Sequence, residues 1–134
     1  MLFRSAQCSS NGIILTGSSG SFSSPNYPSN YPNRETCRWI ITVPQGHRVQ
    51  LNFQTFELET CVIPALCTCD HVEVRDGSDG DSTKLGTFCG KNKPAPVHSS
   101  GRFMWVEFDS DITFIERGFL ATYTAIGKSL VHST

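Results

Sequence analysis

Two kinds of residue in this chain could do chemistry: six cysteines (Cys8, Cys37, Cys61, Cys67, Cys69 and Cys89), and carboxylates from distant stretches, Glu57, Glu59, Asp70, Asp109 and Asp111. The cysteines are even in number, contain no C-x-x-C and lack a second Cys/His cluster to complete a zinc site, so they read as three disulfides of an extracellular protein. Six cysteines permit fifteen pairings, and spacing alone does not choose among them. The acids fall at the ends of predicted strands. Oxygen ligands gathered from separate segments are what Ca²⁺ takes, at about 2.3–2.6 Å with water completing its shell. The plain alternative is a set of solvated strand-end acids.

Other chemistries find little support. His47, His71, His98 and His132 have no G-x-S-x-G or H-E-x-x-H context, and disulfide-bonded cysteines cannot attack, so the chain reads as non-catalytic with solvated histidines. Paired carboxylates can hydrolyse glycosides, but no aromatic-lined groove motif accompanies these. Gly77, Gly80 and Gly86 read as turn glycines rather than a phosphate loop, which would require a following helix. A formal net charge of -1 and a pI near 6.4 leave no basic footprint, which argues against binding nucleic acid or an anionic membrane. No N-x-S/T sequon occurs, so no N-glycan is expected.

The elements that must position these residues are strands. The 134 residues suit one domain with one core. Helical periodicity is nearly absent, whereas segments rich in Val, Ile, Thr, Phe and Tyr recur between Pro/Gly/Asn/Ser turns, predicting strands over 12–15, 20–23, 37–42, 48–56, 71–76, 84–89, 102–108 and 119–125. Short strands with no crossover helices favour an all-β, antiparallel β-sandwich. In Val49-Gln50-Leu51-Asn52-Phe53 and Val72-Glu73-Val74-Arg75 the apolar residues share one face, while 102–108 is apolar almost throughout, as in a strand buried on both faces. Trp39 and Trp105 read as core fillers. No stretch is long enough to span a bilayer, and Met1-Leu2-Phe3-Arg4 lacks the apolar core of a secretory signal. Because disulfides imply export, a leader and neighbouring domains are expected outside this stretch. Residues 1–7 and 126–134 are expected to be flexible flanks.

Taken in order, Ser24-Pro25-Asn26-Tyr27-Pro28, Tyr31-Pro32, Cys37-x-Trp39, Phe53-x-x-Phe56-x-Leu58, Cys67-x-x-Asp70-x-Val72-x-Val74-x-Asp76-Gly77, Phe88-Cys89-Gly90, Ser99-Ser100-Gly101, Phe108-x-x-Asp111 and Gly118-Phe119-x-x-x-Tyr123 resemble the CUB domain. The resemblance covers 8–125 and implies an extracellular, disulfide-stapled sandwich of jelly-roll type, secreted or within a receptor ectodomain. It also implies Cys8–Cys37 and Cys67–Cys89, which leaves Cys61 and Cys69 to close an enlarged loop. By the chain-entropy relation so short a loop adds only about 2 kcal/mol, so shaping the surface beside Asp70 is its expected purpose.

The resemblance further implies a calcium site. Its glutamate falls on Glu59, its first aspartate on Asp70 and its second on Asp111, with backbone carbonyls of Ile112 and Thr113 in the same late loop. Glu57 and Asp109 are expected to face solvent by alternation. Tyr31 falls on a tyrosine whose hydroxyl approaches the ligands, and with Glu59 and Asp111 it is expected to frame a surface that accepts a lysine or arginine of an extracellular partner. Tyr27 reads equally as a structural lid on the Pro-rich turn or as part of that surface. The function so implied is a non-catalytic, calcium-dependent protein-interaction module beside other domains of its parent chain. The alternatives are a spacer without a ligand, or a carbohydrate-binding module.

Overall fold

The computed structural model describes residues 8–112 and 114–128. Thr113, His132 and the stretches 1–7 and 129–134, which include most of the expected flexible flanks, lie outside the described residues.

Nine strands form among the described residues: β1 Ile13–Thr16, β2 Ser19–Ser23, β3 Thr36–Thr42, β4 Arg48–Glu57, β5 His71–Asp76, β6 Thr83–Phe88, β7 Val97–His98, β8 Phe103–Asp109 and β9 Gly118–Ile126. β7 was not predicted, because two residues are too few to show a period. β9 runs through Ile126, which pairs with Arg48 and so belongs to the sheet rather than to a flank. Gly86 is no turn glycine: it lies in β6 opposite Val74, where an added Cβ would stand 2.6 Å from the Phe88 ring.

A five-stranded sheet, ordered β1-β3-β8-β5-β6, faces a four-stranded sheet, ordered β2-β9-β4-β7. The pairings are antiparallel except β1 with β3, which is parallel and sets Ile13 opposite Trp39 and Thr16 opposite Thr42. A staple explains the exception. The Cys8–Cys37 disulfide fixes the chain at the start of β3, the Arg38 amide donates to the Ser9 carbonyl at 2.9 Å, and the chain then leaves alongside β3 in the same direction.

Between the sheets lies one core, with Phe119 as its aromatic hub. Its ring meets Phe22, Trp39, Phe53 and Phe108 edge-on at 5.7–6.1 Å between centroids, the offset geometry that aromatic quadrupoles favour. On β8, Met104, Val106 and Phe108 point into this core and are fully buried. Trp105 does not join them. It is 8% exposed but lies on the outer face of the sheet, where the guanidinium groups of Arg38 and Arg75 cover its ring at 6.0 and 5.9 Å. β8 is therefore covered on both sides, by core on one and by stacked arginines on the other.

One irregularity decides where the glutamates go. Val49, Leu51 and Phe53 point inward at odd positions, and continued alternation would send residues 57 and 59 into the core. The β4–β9 register shifts between Phe53 and Thr55, so inward positions become Phe56 and Leu58. The bulge thus keeps both glutamates out of the apolar layer. The Leu58 amide, donating to the Gly90 carbonyl at 2.9 Å, then ties the end of β4 to the segment after Cys89.

Candidate metal centre

Three strand ends and the Pro-rich segment meet at one end of the sandwich. Glu59 lies just beyond β4, Asp70 immediately before β5 and Asp111 two residues after β8, while Tyr31 comes from the segment between β2 and β3. Glu59, Asp70 and Asp111 each offer a carboxylate oxygen, and these oxygens all lie within 4.8 Å of one another. Each acid sits just outside a strand, Glu59 and Asp111 past its end and Asp70 before its start, so the side chain lies off the ladder but is positioned by it.

Asp70 is the fixed point. It is fully buried, the Tyr31 hydroxyl donates to its Oδ2 at 2.5 Å, and the Asp111 amide donates to its Oδ1 at 2.7 Å. The same tyrosine oxygen accepts the Glu59 amide at 3.2 Å. One hydroxyl therefore sets both Asp70 and the backbone of Glu59. On the far side the Arg34 amide donates to the Asp111 carbonyl at 2.9 Å, which pins the start of the late loop.

The electrostatics are those of crowded acids. Burial pushes the Asp70 carboxyl up, only partly offset by the hydrogen bonds from Tyr31 and the Asp111 backbone. Glu59 is raised first by burial and then by the negative charges of Asp70 and Asp111. Burial and the neighbouring Asp70 carry the Tyr31 phenol far above its ordinary value, so it remains a donor. A cation among the three acids would relieve this repulsion. An all-oxygen donor set from three segments fits a hard ion such as Ca²⁺ better than one that prefers nitrogen or sulfur. A second grouping, Cys8, Glu35 and Cys37, has its two sulfurs joined in a disulfide and offers no thiolate.

The other acids serve elsewhere. Glu57 is not grouped with the trio and lines a shallow hollow with Tyr27, Thr55 and Arg117. Asp109 accepts from the Thr36 hydroxyl at 2.8 Å and lies 3.6 Å from His71 Nε2. Tyr27 bonds Thr55 Oγ1 at 2.6 Å and closes the Pro-rich turn over β4. Tyr31, expected to frame the partner surface, is fully buried, so it can position the acids but cannot itself touch another protein. Ile112 is exposed beside Asp111.

Two supports went unread in the sequence. Ser110 accepts the Glu35 amide and donates to the Pro32 carbonyl, both at 2.8 Å, clamping the Tyr31 segment to the end of β8. Gly118, at φ +90°, lies against Ser24 and Tyr31; an added Cβ would come within 1.9 Å of Ser24 Oγ and 3.2 Å of the Tyr31 ring. A lone serine in a loop carries no signal of such a role, whereas Gly118 was visible only as a motif position.

The enlarged loop is bound at both ends. Cys61 bonds Cys69, and Cys67 bonds Cys89, so residues 61–69 are fixed to themselves and to the segment after β6. The first of these disulfides joins the residue two beyond Glu59 to the residue just before Asp70.

The CUB domain family matches residues 8–123. Mouse Tolloid-like protein 2 is 44% identical over 112 residues, covering 84% of this chain and 11% of the relative. This chain therefore spans a small part of that protein's length. The extracellular region of zebrafish Gpr126 superposes with a TM-score of 0.74 at 36% identity, covering 86% of this chain and 14% of that one. The MASP-1 CUB2 domain bound to Ca²⁺ superposes with a TM-score of 0.73 at 30% identity, covering 84% and 96% of the two chains. From the ordered motifs, the two-sheet sandwich and these matches together, this chain belongs to the CUB domain family of extracellular protein-interaction modules.

Proposed function

We propose that this CUB domain binds Ca²⁺ through Glu59, Asp70 and Asp111, and that Glu59 and Asp111 then hold the lysine or arginine side chain of an extracellular partner protein. The observation that carries the reading is the convergence of these three carboxylates across the enlarged, doubly stapled loop. Support also comes from the Ca²⁺-bound MASP-1 CUB2 domain, a relative of nearly the same extent.

Bound there, the ion supplies positive charge that holds three mutually repelling acids in one arrangement. Asp70, buried and bonded by Tyr31 and the Asp111 amide, is the internal ligand. Glu59 and Asp111 are only partly buried and so can serve an ion and the solvent side at once. Carboxylate oxygens carry more lone pairs than one ion uses, and an ammonium or guanidinium can donate hydrogen bonds to those that remain.

The test titrates acetyl-lysine methylamide and its norleucine counterpart into the domain, followed by NMR in calcium and in chelator. Amide shifts centred on Glu59, Asp70 and Asp111 are expected with lysine alone, in calcium alone, and are lost in Asp111→Ala. Calcium binding without any response to lysine marks a spacer, and glycan binding that survives Asp111→Ala marks a carbohydrate-binding module.

A further inference from the structure

Seven large apolar residues stand exposed among those described, and six belong to the two loops that leave the acidic centre: Val62, Ile63 and Leu66 between β4 and β5, and Ile112, Phe114 and Ile115 between β8 and β9. Only Ile14 lies elsewhere. Val62 is 99% exposed and Phe114 72%. Val62 is three residues from Glu59, Leu66 four from Asp70 and Phe114 three from Asp111. Since a chain spans at most about 3.6 Å per residue, each apolar position lies within about 15 Å of an acid. Scattered apolar residues on a surface need no explanation, but a concentration of six of seven on the two loops that carry the acids does.

The first loop is built to keep them out. Its ends are held by Cys61–Cys69 and Cys67–Cys89, and between them a single 3₁₀ turn at Pro64–Leu66 is closed by the Leu66 amide on the Ile63 carbonyl at 3.0 Å. Cys67 takes a left-handed φ of +48°. None of Pro64–Leu66 is buried, so the turn adds nothing to the core. A loop this constrained loses little freedom when a ligand settles on it.

We infer that these two loops form an apolar rim around the acidic centre, and that the partner segment it selects carries a basic side chain flanked on both sides by apolar side chains. The inference rests on the calcium-dependent reading above and adds to it the chemistry of the flanks. Charge favours a protein segment as occupant. Even with Ca²⁺ bound, three carboxylates leave the centre formally negative on a chain of net charge -1, which disfavours an anionic lipid surface, and a second copy would bring the same acids face to face.

The experiment measures binding of two capped pentapeptides in millimolar calcium, Leu-Phe-Lys-Leu-Phe and Ser-Gly-Lys-Gly-Ser, each beside its norleucine-for-lysine control. The apolar-flanked peptide is expected to bind at least about tenfold tighter, the scale set by burying one or two apolar side chains. The double variant Ile63→Ser, Leu66→Ser should erase most of that difference while leaving affinity for Ser-Gly-Lys-Gly-Ser unchanged; both positions are exposed, and an unaltered melting temperature verifies the fold. Equal affinity of the two peptides for the wild type would overturn the rim while sparing the basic-residue reading. Absence of lysine-dependent binding by either peptide would overturn both. Capture by phosphatidylcholine–phosphatidylserine vesicles, or a calcium-dependent dimer, lost in the same double variant, would overturn the rim in favour of a lipid surface or a second copy.

Discussion

The Tyr31 hydroxyl donates to Asp70 Oδ2 at 2.5 Å from a ring that is itself fully buried, and it accepts the Glu59 amide on its other side. A side chain that contributes to the core through its ring thus sets two elements of the acidic centre through one oxygen. Tyr31→Phe keeps the ring against Phe108, its edge-on neighbour at 5.0 Å, and removes only the oxygen. Leaving a buried carboxylate oxygen and an amide without this partner should cost about 1–3 kcal/mol in denaturant unfolding. Calcium affinity should fall as well, because Asp70 loses its orientation. A variant as stable as the wild type, with unchanged calcium affinity, contradicts the positioning role.

Calcium should oppose the pH dependence of stability. In chelator, Glu59, Asp70 and Glu107 all have raised carboxyl values, Glu107 to about 7 through burial and its hydrogen-bonded neighbour Asp109. The native state therefore keeps protons that the unfolded chain has released. That contribution is fully present below the ordinary carboxylate range and is lost as pH rises through the folded values, for Glu107 between 4.5 and about 7. Melting temperature in chelator should fall across this window, and Glu107→Gln should flatten part of the decline. Calcium needs ionised acids, so the increment it adds should grow with pH over the same range. An increment that grows on acidification contradicts a carboxylate site.

Disulfide mapping without reduction should yield Cys8–Cys37, Cys61–Cys69 and Cys67–Cys89, and a Cys61–Cys67 peptide would contradict the loop architecture. Replacing Cys61 and Cys69 together by serine should cost about 2–3 kcal/mol, less than removing either of the longer-range bonds, because the loop closed is the shortest. Calcium affinity should drop in that variant. The bond joins the stretches that carry Glu59 and Asp70.

Gly118→Ala should be among the most damaging single changes. The new methyl would meet Ser24 Oγ and the Tyr31 ring at a position already at φ +90°. A loss above about 2 kcal/mol is expected from clash and backbone strain together. A melting temperature close to wild type would mean that Ser24 can move aside, and that Tyr31 is held less firmly than its contacts imply.

Much of the sandwich was legible because alternation is a local signal: β4 and β5 announce their inward faces in Val49-Leu51-Phe53 and Val72-Val74. What was not legible depends on distant partners. Nothing near Ile13 says that it pairs in parallel with Trp39, since that direction is set by a disulfide to Cys37. Trp105 reads as core from its apolar neighbours, yet the parity of β8 puts it on the outer face, where two arginines from neighbouring strands cover it. The acids were visible as residues, and the resemblance singled out three of them. Their approach across the enlarged loop was not visible, because it depends on the β4 bulge, the Tyr31 hydroxyl and the Cys61–Cys69 staple acting together. The burial of Tyr31 was equally hidden, since it depends on packing against Phe108 and on the bond to Asp70.

The most direct test of the calcium centre is calorimetric titration of CaCl₂ into the chelator-stripped domain, paired with melting in calcium and in chelator. One site is expected, in the range of about 10⁻⁴–10⁻³ M typical of extracellular modules. At a hundredfold excess over Kd, binding to the native state alone adds about 2.7 kcal/mol, and millimolar calcium should give a smaller but measurable rise in melting temperature. Asp111→Ala should abolish both the heat and the rise, and Glu57→Ala should leave both intact. A wild type that releases no binding heat and melts identically in calcium and chelator would show that Glu59, Asp70 and Asp111 bind no ion.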